Sequence, residues 1–88
     1  MRAEAQAYVD QIKAATQLLR RFLDWDAAQN RLSELNAKVE DPALWDHPKG
    51  AQEVMRERRR LEEAIGATTR IETELKDNLE LIEKARAR

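Results

Sequence analysis

Eighty-eight residues without a cysteine make one small domain at most, and neither a disulfide nor a thiolate metal site can staple it. Charged residues are 38% of the chain, 16 Lys and Arg against 17 Asp and Glu, with two glycines and two prolines. That composition suits helical faces laced with charge pairs and excludes a sheet-rich or linker-like chain, while a net charge of −1 gives no long-range pull on nucleic acid.

No apolar run is long enough for a membrane span, and Arg2 and Glu4 are not followed by the apolar core of a signal peptide. A cytoplasmic protein with no membrane partner is expected.

The first helix is predicted over about 3–22. Tyr8, Ile12, Ala15, Leu19 and Phe22 fall four, three, four and three apart, one stripe of an amphipathic helix widened by Val9, Leu18 and Leu23. The phase is lost at Leu23-Asp24-Trp25-Asp26. Asp26 with Gln29 three residues on is close to a capping box, and Asp24 is the competing cap.

A second helix follows over about 25–40, its stripe running through Trp25, Ala28, Leu32, Leu35 and Val39. Pro42 ends it, because proline lacks an N–H and its ring crowds the preceding turn. Residues 41–48, Asp-Pro-Ala-Leu-Trp-Asp-His-Pro, cannot be regular α-helix and read as an elbow, with Asp46 next to Pro48 suited to opening the next helix. Trp25 and Trp45 flank the two turns, and the preferred reading makes them plugs at the ends of a bundle rather than partner hot spots.

The third helix is predicted over about 48–86, through Ala51, Val54, Met55, Leu61, Ala64, Ile65, Ile71, Leu75, Leu79 and Ile82. At 1.5 Å per residue it would be on the order of 55 Å long, and helices one and two together would line most of it. Gly66, beside Thr68 and Thr69, marks a place for a bend or local fraying. The fold class expected is therefore all-α, an antiparallel helical hairpin or three-helix coiled-coil-like bundle with one long C-terminal helix, forming a single domain over 1–88.

Catalysis has little to work with. The hydroxyls are Ser33, Thr16, Thr68, Thr69, Thr73 and Tyr8, His47 is the only imidazole, and Ser33 falls on the solvent side of helix two, so no nucleophile and base come together. His47 beside Asp46, without a second His or any Cys, makes a poor zinc site and reads as an exposed histidine in the first turn of helix three. No enzyme, metal or cofactor is expected. Arg56, Arg58, Arg59 and Arg60 are the densest basic run, but Glu62 and Glu63 stand four residues after Arg58 and Arg59, so charge pairs on a solvated face outweigh a phosphate patch.

The stretch from Arg20 to Ile65, RRFLDWDAAQNRLSELNAKVEDPALWDHPKGAQEVMRERRRLEEAI, carries a resemblance. Leu23-Asp24-Trp25-Asp26, Arg31-Leu32 with Leu35-Asn36, the Pro-x-x-Trp elbow ending in Pro48, and Arg58 with Leu61-Glu62 together resemble the N-terminal helical domain of the bacterial peptide chain release factor two family, within the class I release factors. The resemblance implies the first domain of a longer factor that ends translation at UGA and UAA codons. It implies a place near the stalk base of the large ribosomal subunit and a link to the class II release-factor GTPase. The family's Ser-Pro-Phe and Gly-Gly-Gln tripeptides do not occur in these 88 residues, so docking and scaffolding, not codon reading or peptide release, are what carry over.

From expected exposure, the candidate partner contacts are His47, Lys49, Arg56, Arg59 and Arg60. Two rivals stand beside this reading. One is a stand-alone coiled-coil adaptor, or a weak homodimer of the isolated domain through the far half of helix three; the other is an RNA-binding helix pair using the arginine run.

Overall fold

The stripes become three α-helices and one short 3-10 helix in the computed structural model, which describes residues 2–87. Helix α1 is Arg2–Leu23, α2 is Trp25–Glu40, the 3-10 helix is Pro42–Asp46 and α3 is Pro48–Arg86, with no strand among the described residues. The all-α class is as expected. The helices pack as two compact units, one built from residues up to 22 and from 67 onward, the other from residues 23–66.

In the 23–66 unit, α2 and the first part of α3 share a seam with the elbow between them. Ala28, Leu35 and Ala51 are buried, Leu35 completely, and Trp25, Leu32, Val39, Leu44, Val54, Leu61 and Ile65 are half-buried around them. The α2 stripe read from the sequence is thus the buried one. The alanines let the two backbones approach while leucine and valine fill the space alongside.

The junction before α2 uses backbone where the sequence suggested side chains. Asp24 takes a left-handed conformation, φ 54° and ψ 67°, and its carbonyl accepts the Ala28 N–H at 2.9 Å, but its carboxylate makes no capping bond. Asp24 therefore holds the cap position, and the Asp26 box is not the start of the helix. Short polar side chains such as aspartate tolerate this region better than others do, so α1 ends and α2 begins with only one residue between them.

Backbone hydrogen bonds hold the elbow at both ends. Asp41 is extended, as a residue before proline must be. Its N–H donates to Lys38 O at 3.1 Å, its carboxylate accepts the Ala43 N–H at 3.0 Å and its carbonyl accepts the Leu44 N–H at 3.1 Å. Pro42 then opens the 3-10 helix, whose last N–H is supplied by His47 to Leu44 O at 3.1 Å. The His47 carbonyl accepts the Ala51 N–H at 2.9 Å, so His47 precedes α3 instead of lying in its first turn. Asp46 closes the elbow rather than opening the next helix, because Pro48 fixes the residue before it, His47, outside helical geometry.

In the other unit, α1 pairs with the later part of α3. Gln6 accepts from Arg86 at 3.2 Å and Glu72 accepts from Arg20 at 2.7 and 3.0 Å, so α1 advances by as many residues as α3 retreats, an antiparallel pairing in constant register. Val9 is 2% exposed, with Ala5, Ile12, Thr16 and Leu19 half-buried beside it; on α3, Thr68 is buried and Leu75, Leu79 and Ile82 are half-buried. Here the stripe read from the sequence is corrected. Tyr8 and Phe22 are 60% and 92% exposed, because the seam runs through Ala5, Val9, Ile12, Thr16 and Leu19, a set with the same four-three spacing that shares Ile12 and Leu19 with the other stripe. On α3, Ile71 and Met55 also leave their expected seam positions and are 41% and 37% exposed.

Helix α3 is unbroken across Gly66, whose φ is not positive, so the glycine does not divide the helix. A Cβ at Gly66 would meet nothing within 4 Å.

Candidate partner-docking surface

The basic run of α3 is sorted by one inward acid. Glu57 turns toward α2, where Arg31 donates from Nε to Oε1 at 2.8 Å and from Nη2 to Oε2 at 2.9 Å while its Nη1 reaches Glu34 at 3.0 Å. Hydrogen bonding to the Arg31 guanidinium holds the Glu57 carboxyl below the usual carboxylate range, against a smaller opposing effect of burial. The same bonds, to Glu57 first and Glu34 second, keep Arg31 firmly protonated. Periodicity did not single out this pair. A signal was present, since Glu57 stands between Val54 and Leu61 on the flank of the stripe.

With Glu57 turned in, the five candidate contacts His47, Lys49, Arg56, Arg59 and Arg60 are all exposed. Arg58 instead lies half-buried across the seam, its Nε 2.7 Å from Asn36 Oδ1 and 3.4 Å from Glu62. Arg59 pairs with Glu63 at 3.2 Å, both side chains well into solvent, a pair that contributes little to stability. Arg56 has no ion pair within 4 Å among the described residues and borders a hollow instead.

That hollow, about 430 Å³, is lined by Trp45, Pro48, Ala51, Gln52, Met55 and Arg56. Trp45 is 53% exposed, which overturns the bundle-plug reading for this residue. The indole is nevertheless held, because its N–H donates to the Val39 carbonyl at 3.2 Å and so ties the elbow to the end of α2. Its only donor is satisfied internally, leaving an apolar ring edge and face to the hollow. Trp, Met and Arg are the residue types enriched where proteins grip partners, so Trp45 and Met55 join the sequence-derived candidates.

In the other unit, Arg20 and Glu72 make a two-bond ion pair that likewise draws the Glu72 carboxyl down. Beside it a second hollow of about 500 Å³ is lined by Ile12, Lys13, Thr16, Thr69, Thr73 and Lys76 among others. Thr16 and Thr73 donate back to Ile12 O and Thr69 O, so they fill their bonding within their own helices. Among the described residues no group of three or more His, Asp or Glu stands close enough to hold a metal ion, and no helix is long and apolar enough to cross a membrane.

No family model matches the chain, and no solved structure matches it. Curated relatives do. Peptide chain release factor 2 of Roseobacter denitrificans is 47% identical over 83 residues, 94% of this chain and 22% of the relative. The same factor is 48% identical over 83 residues in Paramagnetospirillum magneticum, and 45% identical over 87 residues, 99% of this chain, in Rickettsia bellii. The chain spans under a quarter of the length of these relatives and corresponds to their N-terminal part. Along nearly its whole length, then, this chain belongs to the peptide chain release factor 2 family, as its N-terminal helical segment.

Proposed function

We propose that this segment is the docking and scaffold domain of a translation termination factor. In that reading the full-length protein acts at UGA and UAA codons on the ribosome, and this part neither reads the codon nor releases the peptide. It holds the factor on its partners through the elbow and the outward side of α3, with His47, Lys49, Arg56, Arg59 and Arg60 as contact residues and Trp45 and Met55 as apolar anchors. The stalk base of the large subunit and the class II release-factor GTPase are the partner surfaces implied.

The observation that carries this reading is the sorting of charge on α3. Glu57 and Arg58 are engaged with α2, while Arg56 has no ion pair among the described residues and lies beside a half-exposed, pinned tryptophan. Rigid scaffolds that present an aromatic anchor and an arginine on one rim are suited to gripping other molecules.

The test uses the full-length factor with Trp45→Ala and Arg56→Glu, alone and together. Binding to ribosomes stalled at a UGA codon should weaken by about tenfold in the double variant, with the rate of peptide release at saturating factor unchanged. Unchanged ribosome affinity would remove this surface from docking. A concentration-dependent dimer of the segment in sedimentation, abolished by substitutions in the far half of α3, would favour the oligomerisation reading instead.

A further inference from the structure

We infer that the elbow hollow receives an acidic amphipathic helix from a protein partner, one apolar side chain seated against Trp45 and Met55 and carboxylates facing Arg56 and its neighbours along α3. This rests on the docking reading above and specifies the chemistry of what docks.

The occupant follows from what the hollow presents. Its floor is apolar, formed by Trp45, Pro48, Ala51 and Met55, and the one polar atom of the indole is already bonded to Val39. Apart from Gln52 and Arg56, a side chain entering there meets carbon and sulfur, so the complementary group is apolar as well. The rim carries Arg56, with Lys49 seven residues before it and Arg60 four after it on the same helical face. Glu53 lies between Lys49 and Arg56 on that face, and Glu63 beyond Arg60 is engaged by Arg59, so cations prevail around Arg56 and Arg60. A partner helix with carboxylates opposite Arg56 and Arg60, next to a leucine or aromatic anchor, satisfies floor and rim together.

The same surface is poorly suited to RNA. A phosphate track needs successive unengaged cations, yet Arg58 is bonded to Asn36 and Glu62, and Arg59 to Glu63. Glu53, Glu62 and Glu63 interrupt the line, and the chain carries a net charge of −1.

The experiment selects displayed random helical peptides on this chain and, in a parallel arm, measures binding of a single-stranded oligouridylate. Recovered peptides should be rich in Asp and Glu around one large apolar residue. Their affinity should fall about tenfold or more with Trp45→Ala, and likewise with Arg56→Glu. Peptides bearing Lys in place of Glu should bind the Arg56→Glu chain better than the unaltered one. Arg56 is exposed and has no ion pair among the described residues, so its variant keeps the test sound if Trp45→Ala loses helix content.

Recovery of basic peptides, of peptides indifferent to both substitutions, or of none overturns the inference. So does tighter binding of the oligouridylate with a steep salt dependence. If the peptide arm fails while the same substitutions still weaken ribosome binding of the full-length factor, the acidic-helix occupant falls and the docking reading stands; if ribosome binding is also unmoved, both fall.

Discussion

Arg31 grips Glu57 through two parallel hydrogen bonds, 2.8 and 2.9 Å long, and reaches Glu34 on its own helix at 3.0 Å. The pair joins α2 to α3 at the point where the basic run begins, and it turns Glu57 inward while Arg56, Arg59 and Arg60 stay exposed. Arg31→Ala should lower the melting temperature and loosen this helix pair more than Arg59→Ala, which removes only the solvent-exposed bond to Glu63. Thermal melts of the two variants provide the comparison.

The same pair sets a pH dependence. Glu57 is drawn below its ordinary value of 4.5 by Arg31, so the folded state binds its proton less readily than the unfolded state. Its contribution is therefore complete above that value and is lost as pH falls through the depressed range. Glu57→Gln should reduce stability at neutral pH, and the gap from the unaltered chain should close on acidification. Denaturant midpoints at a series of pH values test this, and a gap that widened in acid would contradict it.

Leu35 and Phe22 should separate core from surface. Leu35 is wholly buried, so Leu35→Ala leaves a cavity in a small seam and should destabilise by about 2–5 kcal/mol, enough to unfold much of the unit. Phe22 is 92% exposed, and Phe22→Ala should change stability by no more than about 0.5 kcal/mol. Chemical denaturation of both variants distinguishes them.

That contrast shows what could be read from the sequence. The α2 stripe was legible because Trp25, Ala28, Leu32, Leu35 and Val39 have no competing phase. On α1 two sets of equal spacing share Ile12 and Leu19, and periodicity alone cannot choose between Tyr8 and Val9. The elbow was legible from Pro42 and Pro48, since proline stops a helix that precedes it and is tolerated only in the first turn of the next. Burial of Trp45 was not, because the same side chain serves as plug or anchor and only its neighbours decide. The Arg58–Glu62 and Arg59–Glu63 pairs followed from helical spacing, whereas Arg31–Glu57 needed to know which face of α2 meets α3.

Gly66 offers a stabilising change. It lies inside α3 with ordinary helical backbone and open space where a Cβ would go. Gly66→Ala should stabilise by about 0.5–1 kcal/mol, since alanine restricts the unfolded chain and favours helix without a clash. In a chain of this size the melting temperature should rise by roughly 2–8 °C. A fall would mean that α3 requires glycine at this position.

Glu72 occupies a seam position of α3, four residues after the buried Thr68 and three before Leu75. Its side chain is only 16% exposed, and Arg20, half exposed, reaches across from α1 to meet it. A charged pair at such a position adds little net stability but favours the one alignment in which its partner stands opposite, because any slip leaves a carboxylate partly buried and alone. Glu72→Leu should therefore raise the melting temperature while making the α1–α3 pairing less selective, with a concentration-dependent dimer in sedimentation. Arg20→Leu together with Glu72→Leu should strengthen both effects. If the leucine variant stays monomeric and is less stable than the unaltered chain, the ion pair holds the unit together chiefly by its own attraction and register is set by the apolar contacts around Val9.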